Sequence, residues 1–151
     1  LANGGRMIKP TILKREMPQA GTRVMSEQVA AESVRMLRKV VTEGTASFGE
    51  VPGYAVAGKT GTADKPKPTG GYYEDKVINT FASVFPAHDP KYVLVVTLDE
   101  PVETSGSKPR RTAGWTAVPV AAEIIQRVAP LLGLRPYVEP VALTDITLTS
   151  N

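Results

Sequence analysis

Two apolar runs separated by six residues limit the folds open to this chain. Val77–Phe85 (VINTFASVF) is rich in β-branched and aromatic residues, which suits a strand. Tyr92–Leu98 (YVLVVTL) is almost wholly apolar, and is expected to be a strand buried on both faces. The link Pro86–Lys91 is too short for the crossover that parallel neighbours need, so the two strands pair antiparallel. Any fold that requires successive parallel strands in this region is excluded.

A further strand is expected over Tyr54–Thr62, small and apolar after Pro52-Gly53. Between it and Val77, Asp64–Asp75 holds two prolines and two glycines among charges, and reads as a long loop. Helices are expected on both sides of the strands. Ser26 is a good N-cap for a helix to about Glu43, with Gly44 as its stop. Its apolar stripe is Val29, Met36, Leu37, Val40 and Val41, with Arg35, Arg38 and Lys39 mostly outside it. A second helix is expected from Thr116 to about Val128, or past Pro130 to Leu132. Pro119 suits its first turn, Val120, Ile124 and Val128 share a face, and Gly133 ends it. Arg6–Lys14 allows at most a short extended piece; Pro18–Thr22 and Pro101–Gly114 read as loops. The apolar alternation in VALTDITL, within Leu134–Asn151, suggests a tail or an added edge strand. The order helix, strand, strand, strand, helix makes the chain α+β, with no internal repeat.

Composition removes several functional classes. There are no cysteines, so thiol chemistry and disulfides are out. The one histidine, His88, sits in an A-H-D-P turn, where a surface role is the ordinary one; no zinc site or other metal or cofactor site is expected. Net charge is +3, scattered apart from Lys108, Arg110 and Arg111, so nucleic acid is not the expected partner. No apolar run reaches the 18 or more residues that a membrane span needs. No basic and apolar leader opens the chain. Leu1-Ala2, without an initiating Met and followed at once by a turn, reads as a helix end cut short, which suggests a piece of a longer protein.

The stretch PGYAVAGKTGT, residues 52–62, carries the chemistry and has two readings. Gly53, four residues, then Gly58-Lys59-Thr60 fits the phosphate-binding P-loop string. Leu94–Glu100 even imitates the apolar strand ending in acid that accompanies it in many ATPases. A P-loop, however, needs a strand before its first glycine and a helix opening at Lys-Thr. Here a loop with Pro52 precedes, and Gly-Thr-Ala-Asp-Lys-Pro-Lys-Pro follows, which disfavours a helix. The alternative is Lys59-Thr60-Gly61, a K-T-G element on a strand, as in serine acyl-enzymes. Thr60 and Thr62 alternate, so their hydroxyls share one face. Taken alone, these residues equally describe a surface lysine and two β-forming threonines.

The wider pattern resembles a family. VAGKTGTA, a loop with Gly and Tyr, INTFASVFPAHDPKYVLVVTLDEP and then AGWTAVPVAAEIIQRV closely resemble the C-terminal end of class B penicillin-binding proteins, the D,D-transpeptidases of peptidoglycan synthesis. LANGGRMIKP and VVTEGTA resemble the segments before that strand. The resemblance covers residues 1–134, leaving 135–151 as a tail. It implies the C-terminal part of the penicillin-binding/serine β-lactamase-like fold, with three antiparallel strands flanked by helices and the N-terminal strands and helical subdomain absent. The reaction implied is acyl transfer through an acyl-serine, with stem peptides and β-lactams as ligands. A sensor or binding domain of the same fold, without turnover, is a further reading.

In the implied site Lys59 supplies positive charge to the cleft and tunes nearby serines. Thr60 and Thr62 bind the ligand's carboxylate, Gly61 leaves room, and the Thr62 N–H is an oxyanion donor. Tyr72 and Tyr73 line the substrate side chain or, equally, anchor the loop. Trp115 is expected to bury near the C-terminal helix rather than touch substrate. No S-x-N element of the family is found in the sequence, and its S-x-x-K string, Ser105-Gly106-Ser107-Lys108, lies in the Pro101–Gly114 loop after the K-T-G strand, so the nucleophile is expected upstream and the piece alone is expected to be inactive. The resemblance further implies divisome or elongasome partners, and a position at the periplasmic face of the inner membrane through an upstream anchor. Strand 92–98, lacking an N-terminal neighbour, is expected to support self-association through its open edge.

Overall fold

The computed structural model describes residues 1–17 and 19–137. Within them, β1 (Arg6–Met7) and β2 (Thr22–Arg23) form a two-stranded ribbon. Helix α1 (Glu27–Thr42) follows, then a 3-10 turn at Ser47–Gly49. β3 (Ala57–Pro66), β4 (Tyr72–Phe85) and β5 (Tyr92–Asp99) come next, then a 3-10 turn at Ala113–Trp115 and helix α2 (Ala117–Val128). The three long strands form an antiparallel sheet in the order β3-β4-β5. This is the α+β arrangement expected, with helices flanking three antiparallel strands. The ribbon β1–β2 was not foreseen: the short extended piece at Arg6 pairs with the end of the segment read as loop.

The Ser26 hydroxyl accepts from the Val29 N–H and caps α1. The buried stripe of α1 is Ala30, Val34 and Val41 with Leu37 beside it, whereas Val29 and Met36 face solvent. On this stripe Val34 meets Ala57 and Val84 of the sheet. Arg38 fixes the entry to β3 by pairing with Glu50 and donating to the Val56 carbonyl at 2.8 Å.

The segment Asp64–Asp75 is not a long loop. β3 continues to Pro66 and β4 begins at Tyr72, with Pro66 opposite Tyr72 after a register shift beyond Asp64. β3 is an edge strand among the described residues, and an edge tolerates the proline that a central strand would reject. The hairpin closes through Gly70 and Gly71, both at positive φ. Val77, expected to open its strand, therefore lies well inside β4. The tyrosine-bearing part is instead the far end of the hairpin. At the other end, Tyr54 belongs to a turn at Gly53 rather than to the strand.

An ion cluster ties the hairpin to the end of β5. The Lys65 ammonium donates to Asp99 at 2.7 Å and to Glu100 at 2.8 Å, and Lys76 pairs with Glu100 at 3.0 Å. The hydrogen bond to Asp99, then that to Glu100, raises the Lys65 pKa to about 12. The bonds from Lys65 and then Lys76 hold the Glu100 carboxyl below its usual range. Lys65 therefore contributes stability that is complete below its ordinary value and lost as pH rises through about 12. Glu100 contributes stability present above the ordinary carboxylate value, which disappears as pH falls through its lowered one. Thermal midpoints across pH should thus decline at both extremes. In Glu100→Gln the acid-side decline should be smaller; an identical acid limb in that variant would count against the cluster.

The main core lies between the sheet and α2. Phe81, on the central strand, is fully buried with Val56, Val118, Ala121 and Ile125. A phenylalanine so placed contributes about 1.5–3 kcal/mol through burial. α2 presents Ala117, Val118, Ala121 and Ile125 inward, with Ile124 and Val128 partly buried and Val120 mostly outside. The inward face is thus rotated from the Val120–Ile124–Val128 line. Leu134, after Gly133, still packs on this core. The Tyr137 N–H donates to the Gly53 carbonyl at 2.8 Å. The tail reading concerns residues that, from 138 onward, lie outside the described residues.

β5 differs from expectation. Its residues alternate: Val96 is buried and Leu94 and Leu98 are partly buried against α2, but Val93 and Val95 are 62% and 57% exposed. The other face of the sheet is covered by α1 only near Ala57 and Val84, so an apolar composition here does not mean burial on both faces.

Candidate functional site

The K-T-G stretch lies wholly within β3, paired with β4 from Lys59↔Ala82 to Thr62↔Asn79. No helix starts at Lys59 or Thr60, and the following strand is antiparallel. Without a helix N-terminus there is no set of converging N–H groups to hold phosphate, and the P-loop reading falls. Asp99 and Glu100, the imitation of a magnesium-binding acid pair, are taken up by Lys65 and Lys76.

Alternation along β3 splits the predicted residues between two faces. Thr60 and Thr62 line one cleft of about 450 Å³ with Thr45, Ser47, Phe48, Ala113 and Trp115. The Thr60 and Thr45 hydroxyls are 3.0 Å apart. The Thr62 hydroxyl accepts from the Ala113 N–H at 3.0 Å. A hydroxyl has one proton to donate and two lone pairs, so Thr62 keeps its proton for another acceptor. Lys59 is exposed and does not line this cleft; its ammonium turns back and donates to the Thr60 carbonyl at 2.8 Å. Gly61 is exposed, and a Cβ there would meet only the Thr80 carbonyl oxygen, at 3.9 Å.

Tyr72 and Tyr73 stand away from the cleft. Tyr72 is 65% exposed. The Tyr73 ring lies beneath the Lys67 and Lys76 ammoniums, 5.6 and 5.0 Å from its centroid. Trp115, expected to be buried, is 38% exposed and forms a wall of the cleft. Its ring is 4.8 Å from that of Phe48, and the Arg110 guanidinium stacks over it at 3.7 Å. Arg110 is set by a two-way backbone bridge with Glu103. The Ser105 side chain and then its N–H hold the Glu103 carboxyl below its usual range, with Arg110 adding to this. The aromatic pair had no local signature, because Phe48 and Trp115 meet only once α2 folds onto the sheet. Thr45 was missed for the same reason.

A larger cleft, of about 800 Å³, is lined by Ala2, Ala30, Val34, Arg38, His88 and Tyr137, among others. None of the predicted site residues reaches it, and His88 is an exposed residue stacked on Tyr137 at 5.2 Å. The grouped hydroxyls make the smaller cleft the candidate site. Its serine, Ser47, has Glu50 three residues on, already paired with Arg38, so no lysine base accompanies it.

The chain is similar to several known proteins. Among curated relatives, the "Probable peptidoglycan D,D-transpeptidase FtsI" of Caulobacter vibrioides is 36% identical over 157 residues, covering 96% of this chain and 26% of that protein. "Stage V sporulation protein D" of Bacillus subtilis is 35% identical, covering 89% of this chain and 22% of that protein. The chain therefore spans about a quarter of the length of these relatives. Among solved structures, the apo transpeptidase domain of Burkholderia pseudomallei penicillin-binding protein 3 superposes with a TM-score of 0.77 at 34% identity, over 91% of this chain and 40% of that one. Penicillin-binding protein 3 of Mycobacterium tuberculosis, complexed with aztreonam, gives 0.67 at 32% identity, over 83% and 29%. The family described as penicillin binding protein transpeptidase domain matches residues 1–126, and together with the K-T-G strand this places the chain in the class B penicillin-binding protein transpeptidase family.

Proposed function

We propose that this chain forms one wall of a peptidoglycan D,D-transpeptidase site. The observation that carries the reading is the pair of hydroxyls, Thr60 and Thr62, on one cleft of an edge strand in a chain of this family. In the proposed reaction a serine oxygen attacks the D-Ala-D-Ala carbonyl. The amide C–N bond breaks and D-Ala leaves with the serine's proton; an amine of a second stem peptide then forms the new C–N bond as the ester C–O bond breaks, and its proton returns to the serine oxygen. β-Lactams acylate the same serine, and ring opening leaves no separate departing group. Thr60 and Thr62 donate to the ligand carboxylate, and Lys59 adds positive charge at the strand's edge. The Thr62 N–H serves the developing oxyanion, a donor worth about 3–4 kcal/mol in such sites. Gly61 keeps the strand edge open to the ligand.

The nucleophile is proposed to come from sequence outside residues 1–151, which would make this piece inactive alone. Residues 1–134 are its share of the transpeptidase domain, and 135–151 lie beyond that share. Tyr72 and Tyr73 would act as hairpin anchors rather than ligand contacts, given the ammoniums over Tyr73. A septal or elongation assembly at the periplasmic face of the inner membrane is proposed from the kinship. No helix among the described residues is long and apolar enough to cross a membrane. The direct test joins residues 1–151 to the native flanking sequence and adds a fluorescent penicillin. A covalent adduct, absent from the isolated chain, is the expected result; no adduct in the joined protein would refute the reading.

The edge of β5, unpaired among the described residues, with Val93 and Val95 exposed beside it, also supports self-association of the isolated chain. Light scattering across micromolar concentrations should show mass rising with concentration, and Val95→Lys should suppress the rise. A constant monomer mass throughout would argue against it.

A further inference from the structure

Asn79 is fully buried in the middle of the central strand, a position that ordinarily takes a β-branched or aromatic residue. It stands directly opposite Thr62, so the two side chains project from the same face. Its Nδ2 donates to the Arg111 carbonyl and to the Thr116 hydroxyl, both at 2.6 Å. The Thr116 hydroxyl in turn donates to the Thr112 carbonyl at 3.1 Å. The Asn79 Oδ1 has no partner among the described residues. A buried amide with one orphaned acceptor is a poor device for stability, because an apolar residue of similar size would avoid the desolvation cost.

What the amide does hold is the segment that faces the ligand. Arg111, Thr112 and Thr116 frame the 3-10 turn, and between them Ala113 directs its N–H to the Thr62 hydroxyl. That bond occupies a lone pair of Thr62 and turns its proton away from Ala113. The next residues, Gly114 and Trp115, continue the wall of the cleft. One side chain thus sets both the orientation of the Thr62 hydroxyl and the position of the aromatic wall.

We propose that Asn79 is a positioning residue for ligand recognition: it locks the Arg111–Thr116 segment so that Thr62 presents its proton to the ligand. The proposal rests on the reading of this cleft as the acylation site. It assigns Asn79 no contact with ligand; its effect passes through Ala113 and Thr62. Misplacement of a binding group by about 1 Å costs on the order of 100-fold in rate, so release of the segment should slow acylation by about 10- to 100-fold.

The test is the rate of acylation by a fluorescent penicillin in the transpeptidase that carries this segment in its native chain. Asn79→Ala, Thr62→Val and the double variant form one cycle. Thr116→Val and Thr116→Ser form a second arm that keeps the Asn79 side chain and removes or retains only its hydroxyl partner. Asn79→Ala and Thr62→Val are expected to slow acylation alone, and the double variant by little more than either. Thr116→Val should behave like Asn79→Ala, and Thr116→Ser, which keeps the hydroxyl, should return the wild-type rate. A purely structural role would give additive losses in the cycle, which overturns the proposal. So would a wild-type rate in Thr116→Val; because that change is isosteric, this arm decides the matter even where Asn79→Ala does not fold. A wild-type protein that forms no adduct overturns the site reading together with the proposal, whereas an acylated wild type with additive losses overturns the proposal alone.

Discussion

Lys59→Ala in the complete transpeptidase should slow acylation by a penicillin by about 100- to 1,000-fold, the scale set by losing one preorganised electrostatic group, while the thermal midpoint stays within a degree or two. The two halves of this result come from one observation. Lys59 is exposed, its ammonium meets only the Thr60 carbonyl, and it has no carboxylate partner among the described residues. Folding therefore makes little use of its charge, and surface changes of this kind usually fall within about 0.5 kcal/mol. A cation left uncommitted on an edge strand, beside two hydroxyls directed to a cleft, is instead available to a ligand anion. Lys59→Arg keeps the charge but replaces a compact ammonium by a planar fork, and should recover only part of the rate. An alanine variant acylated at the wild-type rate would remove Lys59 from the site; one that melts far lower would show that the lysine serves the fold.

What the sequence disclosed, and what it hid, follows from the range of the interactions. The Ser26 cap and the six-residue link after Phe85 act within a few residues, and both were legible. So was the shared face of Thr60 and Thr62, a matter of strand period alone. Pro66, Pro68, Gly70 and Gly71 suggested a loop because each disfavours regular structure locally. Whether a strand tolerates a proline depends on its place in the sheet, which the local sequence does not contain. The same limit applies to β5: apolar residues at Val93 and Val95 do not say whether a partner covers them. Trp115 and Phe48 meet through α2 docking, and Asn79 finds Thr116 and the Arg111 carbonyl through the same contact. The K-T-G chemistry was recognisable by resemblance across many segments, since the tripeptide alone also fitted a phosphate loop.

The two glycines that flank Lys59-Thr60 separate these readings by stability alone. Gly58→Ala should lower the thermal midpoint by about 2–12 °C, whereas Gly61→Ala should change it little. A Cβ on Gly58 would lie 2.7 Å from the Ala82 carbonyl oxygen and 2.7 Å from two atoms of the Phe81 ring. Neither neighbour can retreat freely: the carbonyl belongs to the central strand, and Phe81 is fully buried against Val118 and its surroundings. Such overpacking typically costs about 1–3 kcal/mol, and a domain of this size loses roughly 2–4 °C per kcal/mol. At Gly61 the nearest atom stands at 3.9 Å, an ordinary contact. In a phosphate loop Gly58 would instead bring backbone to the ligand, and its replacement would be felt mainly in nucleotide binding. Here Gly58 is required because β3 presses against Phe81, and that packing sets the height of Thr60 and Thr62 above the cleft. Differential scanning calorimetry of the two variants decides it: equal midpoints for Gly58→Ala and wild type would break this account of the strand, as would a Gly61→Ala protein that melts as low as Gly58→Ala.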